Sequence, residues 1–441
     1  MTNPEFRKNL WLEMTPYRLV GMPLVILSIL YLAYLTGGSR LAHDVASAAI
    51  TFYFLITVVW GTKQASETIV NEIREHTWDG QRMSSLTPWQ LVWGKLFGST
   101  AYTWYGSAML LAAYWMAGPD PDPVASLETV VVLVLTGIFA HAVTMLGSLL
   151  SIQKERKFVR SQSTGILLLG IMTASILLAS YFGKGGGTLT WFGAGWQLRD
   201  FMLVSVTAIT LWALLGVYQL MRRELQMVNS PAAWLAFLIF LMVYCGGLVA
   251  GQKVPANDPF QGVNRPVLVA FYLAVAASYL MAFIERKDLL TLQRVVRLAE
   301  GREWLKLLQR APRWLLTFPL GLLMALGVAA TAGAGFKGGP DVAAFVAAVI
   351  FFQARDLGIL LFCNLAHANK RADLLAVLYL FLLYGIIPGI LQAMHQGELT
   401  VLFWPRPDRS PFLLIVPLLE MLAVFYLLSA RWKKRVSEVG R

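Results

Sequence analysis

Residues 63–95 read KQASETIVNEIREHTWDGQRMSSLTPWQLVWGK, a charged, partly amphipathic stretch between two strongly apolar ones. Most connections in compact helical bundles are shorter. A long patterned polar segment between two membrane spans predicts a docking surface for something soluble on the cytoplasmic side. Within it Ile69, Val70 and Ile73 share one face at helical spacing, with Glu67, Asn71, Arg74 and Glu75 around the rest. Thr87-Pro88 breaks the helix and restarts it at Trp89, because the residue before proline avoids helical geometry. Gly94 permits close packing, and Lys95 is expected to snorkel toward the headgroups.

The flanking sequence sets the class. The chain of 441 residues is 57% hydrophobic and 14% charged, well below the charge content of soluble domains. The amino-terminal apolar run, Leu19 to Leu35, is long for the core of a cleavable signal. About twelve apolar runs are long enough to cross a bilayer as helices. They lie near 18–36, 45–62, 96–117, 127–150, 162–182, 200–220, 232–251, 266–284, 314–334, 342–363, 374–394 and 412–430. The runs are continuously apolar and do not alternate, so the expected fold is an all-α polytopic transmembrane bundle and not a barrel. Lys and Arg (37) exceed Asp and Glu (25). With both termini placed in the cytoplasm, roughly 28 of these bases fall inside and about 8 outside, as the topology rule requires. The excess therefore needs no nucleic-acid partner. Cys245 and Cys363 sit in apolar runs and offer no disulfide framework or thiolate metal site.

The two halves repeat in layout. Residues 1–225 form a six-span half with the cytoplasmic segment 63–95, and residues 226–441 a second with the amphipathic segment 285–313. Each half also has a short basic loop, at 151–157 and 364–371. Such a repeat would make an internal pseudo-dimer; a six-span domain followed by unrelated spans is the other reading.

The segment 63–95 resembles that of the type-2 ATP-binding-cassette (ABC) exporter permeases. Glu72, Thr77, Thr87-Pro88 and Gly94-Lys95 stand in the order of that family's Glu, Gly-Thr, Thr-Pro and Gly-Lys. Asn3-Pro4 and the basic stretch after it also look like that family's start. The layout agrees over roughly residues 1–220. Two departures stand out: His76 replaces the usual Gly, and the Thr-to-Pro distance is longer. The resemblance implies a permease subunit of an exporter in a bacterial inner membrane, as one chain or as a homodimer. Glu72, Thr77, Thr87 and Pro88 would couple it to a separate cytoplasmic ATPase. The chain has no phosphate-binding loop, so ATP and magnesium are expected on that partner and no cofactor or catalytic residue here. Two other functions are open: a membrane scaffold or assembly factor recruiting a cytoplasmic partner, and a proton-coupled secondary transporter.

Ionisable residues inside spans are few: His141, Arg355, Asp356 and Glu420. Charges there are expensive and face a bundle interior or a wet cavity. Arg355 is expected to pair with Glu420, with adjacent Asp356 directed elsewhere, either as a structural lock or as part of a pathway. His43, His367 and His395 fall in or near loops and suggest no metal site. The segment 285–313 carries Leu289, Leu292, Val296 and Ala299 on one face; a basic interfacial helix on anionic lipid and a second docking site are equally open. Phe6, Leu10 and Trp11, with Arg7 and Lys8, read as an interfacial helix.

Overall fold

The computed structural model describes residues 3–36, 41–120, 122–154, 160–183, 187–227, 229–252, 258, 260, 262–285, 287–332, 341–366, 372–405 and 412–439. Arg156, Lys157, Arg286, His367, Lys370 and Arg371, all weighed above for topology or as site candidates, lie outside these residues. The chain divides into two units, residues 1–189 with 195–229, and residues 190–194 with 230–441.

The first unit runs through α1 (Pro4–Glu13), α2 (Pro16–Thr36), α3 (Leu41–Tyr53), a π-helical segment Phe54–Gly61, α4 (Thr62–Arg74), α5 (Trp78–Arg82) and α6 (Pro88–Trp93). A second π-helical segment, Gly94–Gly98, leads into α7 (Ala101–Ala117), α8 (Pro123–Lys154), α9 (Arg160–Phe182) and α10 (Leu198–Glu224). The second unit contains α11 (Ala232–Val249), α12 (Arg265–Ile284), α13 (Leu289–Glu300), α14 (Trp304–Arg310), α15 (Arg313–Thr331), α16 (Val342–Ala366) and α17 (Ala372–Phe381). A π-helical turn Leu382–Ile386, α18 (Ile387–Ala393), a 3-10 turn Gly397–Leu402 and α19 (Phe412–Val439) complete it. Among the described residues the only strands are a small hairpin, Thr188–Trp191 with Ala194–Gln197.

Eleven helices of the described residues are long and apolar enough to cross a membrane, one fewer than the runs counted in the sequence. The difference is the third run. Its continuous helix, α7, has 17 residues. The part before it is the π-helical segment and a turn at Ser99 and Thr100, whose hydroxyls donate back to the carbonyls of Lys95 (2.5 Å) and Leu96 (2.6 Å). Such back-bonding bends a helix.

The second span departs from expectation in the other direction. It does not stop near residue 62: residues 43–74 form one continuous helix, so the first third of the polar segment is the end of the span itself. The π-helical turn inside it displaces backbone groups from the regular ladder. There the Thr57 carbonyl accepts a 2.9 Å hydrogen bond from Nε2 of His141, which is fully buried.

Packing differs along the first unit. At its polar end Ile69, Trp78, Leu91, Val92 and Leu96 pack with Met145, Leu149, Val217 and Met221 in one apolar cluster. Where water borders an apolar cluster, burial stabilises by about 25 cal/mol per Å2 of apolar surface. Within the bilayer that driving force is absent, and close approach through small residues replaces it. Gly61 shows the tolerance: a Cβ there would come within 2.4 Å of the His141 ring.

Candidate functional site

The segment 63–95 folds as a tip on the first unit, built by local signals. α4 ends in a left-handed turn in which the Thr77 N–H reaches the Glu72 carbonyl (2.9 Å) and the His76 N–H that of Ile73 (3.2 Å). This is the double closure of a Schellman motif. His76 is its left-handed residue, at φ +58°, a position where glycine is free of strain. His76 thus stands at the one residue of this turn that favours glycine. The imidazole is exposed, and no packing would be lost. His76→Gly is expected to stabilise the folded protein by about 1 kcal/mol, read as a raised unfolding midpoint in detergent and slower amide exchange over α4. An unchanged or lowered midpoint would contradict it.

Thr87 caps α6. Its Oγ1 accepts from the Gln90 N–H (3.3 Å), while Gln90 Oε1 accepts from the Thr87 N–H (2.9 Å), a reciprocal capping box. Pro88 fills the first helical position, where its missing N–H costs nothing.

What the tip packs against was not legible. α1 lies across α6 and the second π-helical segment, held by a set of specific bonds. Asn3 caps its own helix and donates to the Gln90 carbonyl (2.7 Å). Asn9 donates to Glu5 (3.1 Å) and to the Gly94 carbonyl (3.1 Å). The contact is close because residue 94 lacks a side chain: a Cβ there would stand 2.7 Å from Cβ of Glu5.

Lys95 does not snorkel. It is fully buried, because two carboxylates and an aromatic face meet its ammonium inside the protein. Glu72 accepts a short bond from it, Glu5 accepts at 3.2 Å, and the Trp78 ring centroid lies 5.2 Å away. Lys8 closes the set from outside, 3.1 Å from Glu5 and 3.4 Å from Glu72. Gln81 donates to Glu72 at 2.6 Å. Burial alone would raise the Glu5 pKa; Lys95 and Lys8 outweigh it and hold this carboxylate below its ordinary value. Two lysines and two glutamates thus tie three pieces of chain together: α1, the end of the second span with the turn after it, and the π-helical segment that leads into α7.

Of the four residues singled out in the segment, Thr77, Thr87 and Pro88 shape the tip, while the Glu72 carboxylate is engaged inward. The exposed surface of the tip includes Arg74, Glu75, His76, Thr77, Asp79, Gly80 and Met83. Glu5, Asn9 and Trp78 escaped the sequence reading, and Lys8 entered it only as a base of an interfacial helix. A glutamate two positions before Arg7-Lys8 was the one available signal.

The intramembrane set divides between the units, with His141 in the first and Arg355, Asp356 and Glu420 in the second. Arg355 is buried, and its Nη1 donates to Glu420 Oε2 at 2.6 Å, the pairing expected from the sequence. Asp356 is not directed elsewhere: Arg355 Nε donates to its Oδ1 at 2.9 Å. Neighbours on a helix point roughly 100° apart, but the long arginine side chain folds back far enough to close the gap. The second Asp356 oxygen accepts from the hydroxyls of Tyr279 (2.7 Å) and Tyr384 (2.6 Å). Phe352 and Tyr384 flank the guanidinium, at 4.6 and 5.2 Å from the ring centroids. The cluster thereby joins α12, α16, the π-helical turn and α19. Among the described residues no group of His, Cys, Asp or Glu could hold a metal ion. No protein-family model, no curated protein and no solved structure matches this chain.

Proposed function

We propose that this chain is the membrane-spanning permease subunit of an ABC exporter in a bacterial cytoplasmic membrane, driven by a separate ATPase that binds the 74–87 tip from the cytoplasm. One observation carries the reading: the tip is continuous with the second span and is locked by Lys95 to α1 and to the start of the third. A force on the exposed turn would therefore move two membrane segments together and would not be absorbed by a loose loop. ATP binding at the partner shifts the permease between inward- and outward-facing states only through such a difference in contact. The distribution of basic residues supports a cytoplasmic tip: Arg7, Lys8, Arg74, Arg82, Arg222 and Arg223 all belong to elements at that end.

A photo-reactive residue replacing Met83, which is largely exposed, tests the reading in native membranes. The expected adduct is an ABC ATPase whose hydrolysis is stimulated when it co-purifies with this chain. An adduct with a soluble protein that does not hydrolyse ATP would favour the scaffold. Substrate uptake into vesicles driven by a proton gradient without ATP would favour the secondary transporter.

A further inference from the structure

The second polar segment folds as two short helices, α13 and α14, that contribute no buried residue. Leu292 rests partly against the apolar cluster around Trp314 and Met281. Of the other large apolar side chains Leu290, Val296, Trp304, Leu305 and Leu308 are exposed, Leu305 to 72%, while Leu289, Val295, Leu298 and Leu307 are half-buried. Arg294, Arg297, Arg302, Lys306 and Arg310 accompany them against only Glu300 and Glu303. Lys306 takes Glu303 at 2.6 Å. Among the described residues the four arginines have no carboxylate within ion-pair reach.

The segment is tethered at both ends. α12 ends at Ile284 and α15 begins at Arg313; both are candidate spans, and they pack against each other. The pair of helices is therefore held at the place where two spans leave the bilayer, with little chain to carry it away. An exposed Trp-Leu pair and unpaired arginines at that depth match the two layers found there, apolar chain ends beneath and phosphate-bearing headgroups above.

We propose that α13 and α14 form a membrane-surface anchor. It seats Trp304, Leu305 and Leu308 at the headgroup–acyl boundary and binds anionic lipid headgroups through Arg294, Arg297, Arg302 and Arg310. The assignment is independent of the transport reading. The two polar segments then differ in what they face. The first is folded inward and offers a compact tip, and the second lies open to the bilayer.

The test uses the full chain in nanodiscs, with Cys245→Ser and Cys363→Ser as background and a spin label at Leu305→Cys or Lys306→Cys. In discs containing phosphatidylglycerol, the label at 305 is expected to meet oxygen more readily than a water-soluble nickel chelate, and the label at 306 the reverse. Nickel access at 305 should rise severalfold in discs of phosphatidylcholine alone. Arg294→Gln, Arg297→Gln, Arg302→Gln and Arg310→Gln together should abolish that lipid dependence, with the variant's helicity and gel-filtration profile showing that it is folded. High nickel access at 305 in both lipids overturns the anchor. Low access indifferent to lipid charge and to the arginines overturns headgroup binding. Protection that arises only on adding a soluble protein assigns the surface to that protein instead.

Discussion

Lys95→Met is expected to destabilise the protein by about 3–5 kcal/mol, because it strands two carboxylates in a site built for their counter-ion. Glu5 is buried and Glu72 nearly so, at 4% and 13% side-chain exposure. With Lys95 gone Lys8 is the cation left to them beside the amides of Asn9 and Gln81, and it is 44% exposed and screened by water. Lys8→Ala should cost no more than about 1 kcal/mol for that reason. The triple variant Lys95→Met, Glu5→Gln, Glu72→Gln should recover part of the loss, since uncharged partners no longer need an ammonium. Unfolding midpoints in detergent, with protease protection of residues 4–13, read the series. Equal losses for Lys8→Ala and Lys95→Met would refute the ranking. The network also has a pH signature. The Glu5 value lies below its ordinary 4.5 when folded. Its contribution is therefore complete above that ordinary value and is lost as pH falls through the depressed one. Undocking of α1 is expected on acidification below about 4.5 and not near neutrality.

Arg355→Met is expected to cost about 3–5 kcal/mol as well, through a buried carboxylate deprived of its cation. The pairing with two acids allows a sharper statement than a simple lock. Asp356 is 1% exposed and would keep only the two tyrosine hydroxyls, whereas Glu420 is 29% exposed. Glu420→Gln leaves Arg355 neutralised by Asp356 and retains an acceptor, so its cost should be smaller, about 1–3 kcal/mol. Asp356→Asn should rank close to Arg355→Met. The order Arg355 and Asp356 above Glu420, measured by unfolding in detergent, checks the arrangement; a loss at Glu420 equal to that at Arg355 would contradict it. Single variants that stay stable but lose function would move the cluster from holding the second unit together to acting in it.

What was legible in the sequence is what neighbours in the chain decide among themselves. Continuous apolar runs dictate helices, since no other isolated structure satisfies its backbone in hydrocarbon. Ile69 and Ile73 of the stripe do face an apolar cluster and Val70 is buried, and Thr87-Pro88 does open a helix, with Gln90 three positions on completing the cap. Even the odd residue of the segment, His76, falls at the left-handed end of α4, a local event. The scarcity of charge inside the apolar runs was readable too, and paired Arg355 with Glu420. Tertiary structure decided the rest. Lys95 carries the same side chain whether it snorkels or is buried. Burial became favourable only because Glu5, 90 residues away, and Glu72 arrive at the same point when α1 settles on Gly94. The π-helical turn at 54–61 answers to a histidine in α8. The return of Arg355 onto Asp356 follows from tyrosines of α12 and the 382–386 turn that hold the carboxylate in place. A charge's partner is set by which helices pack together, and that depends on contacts between residues far apart in the chain, where no local pattern is written.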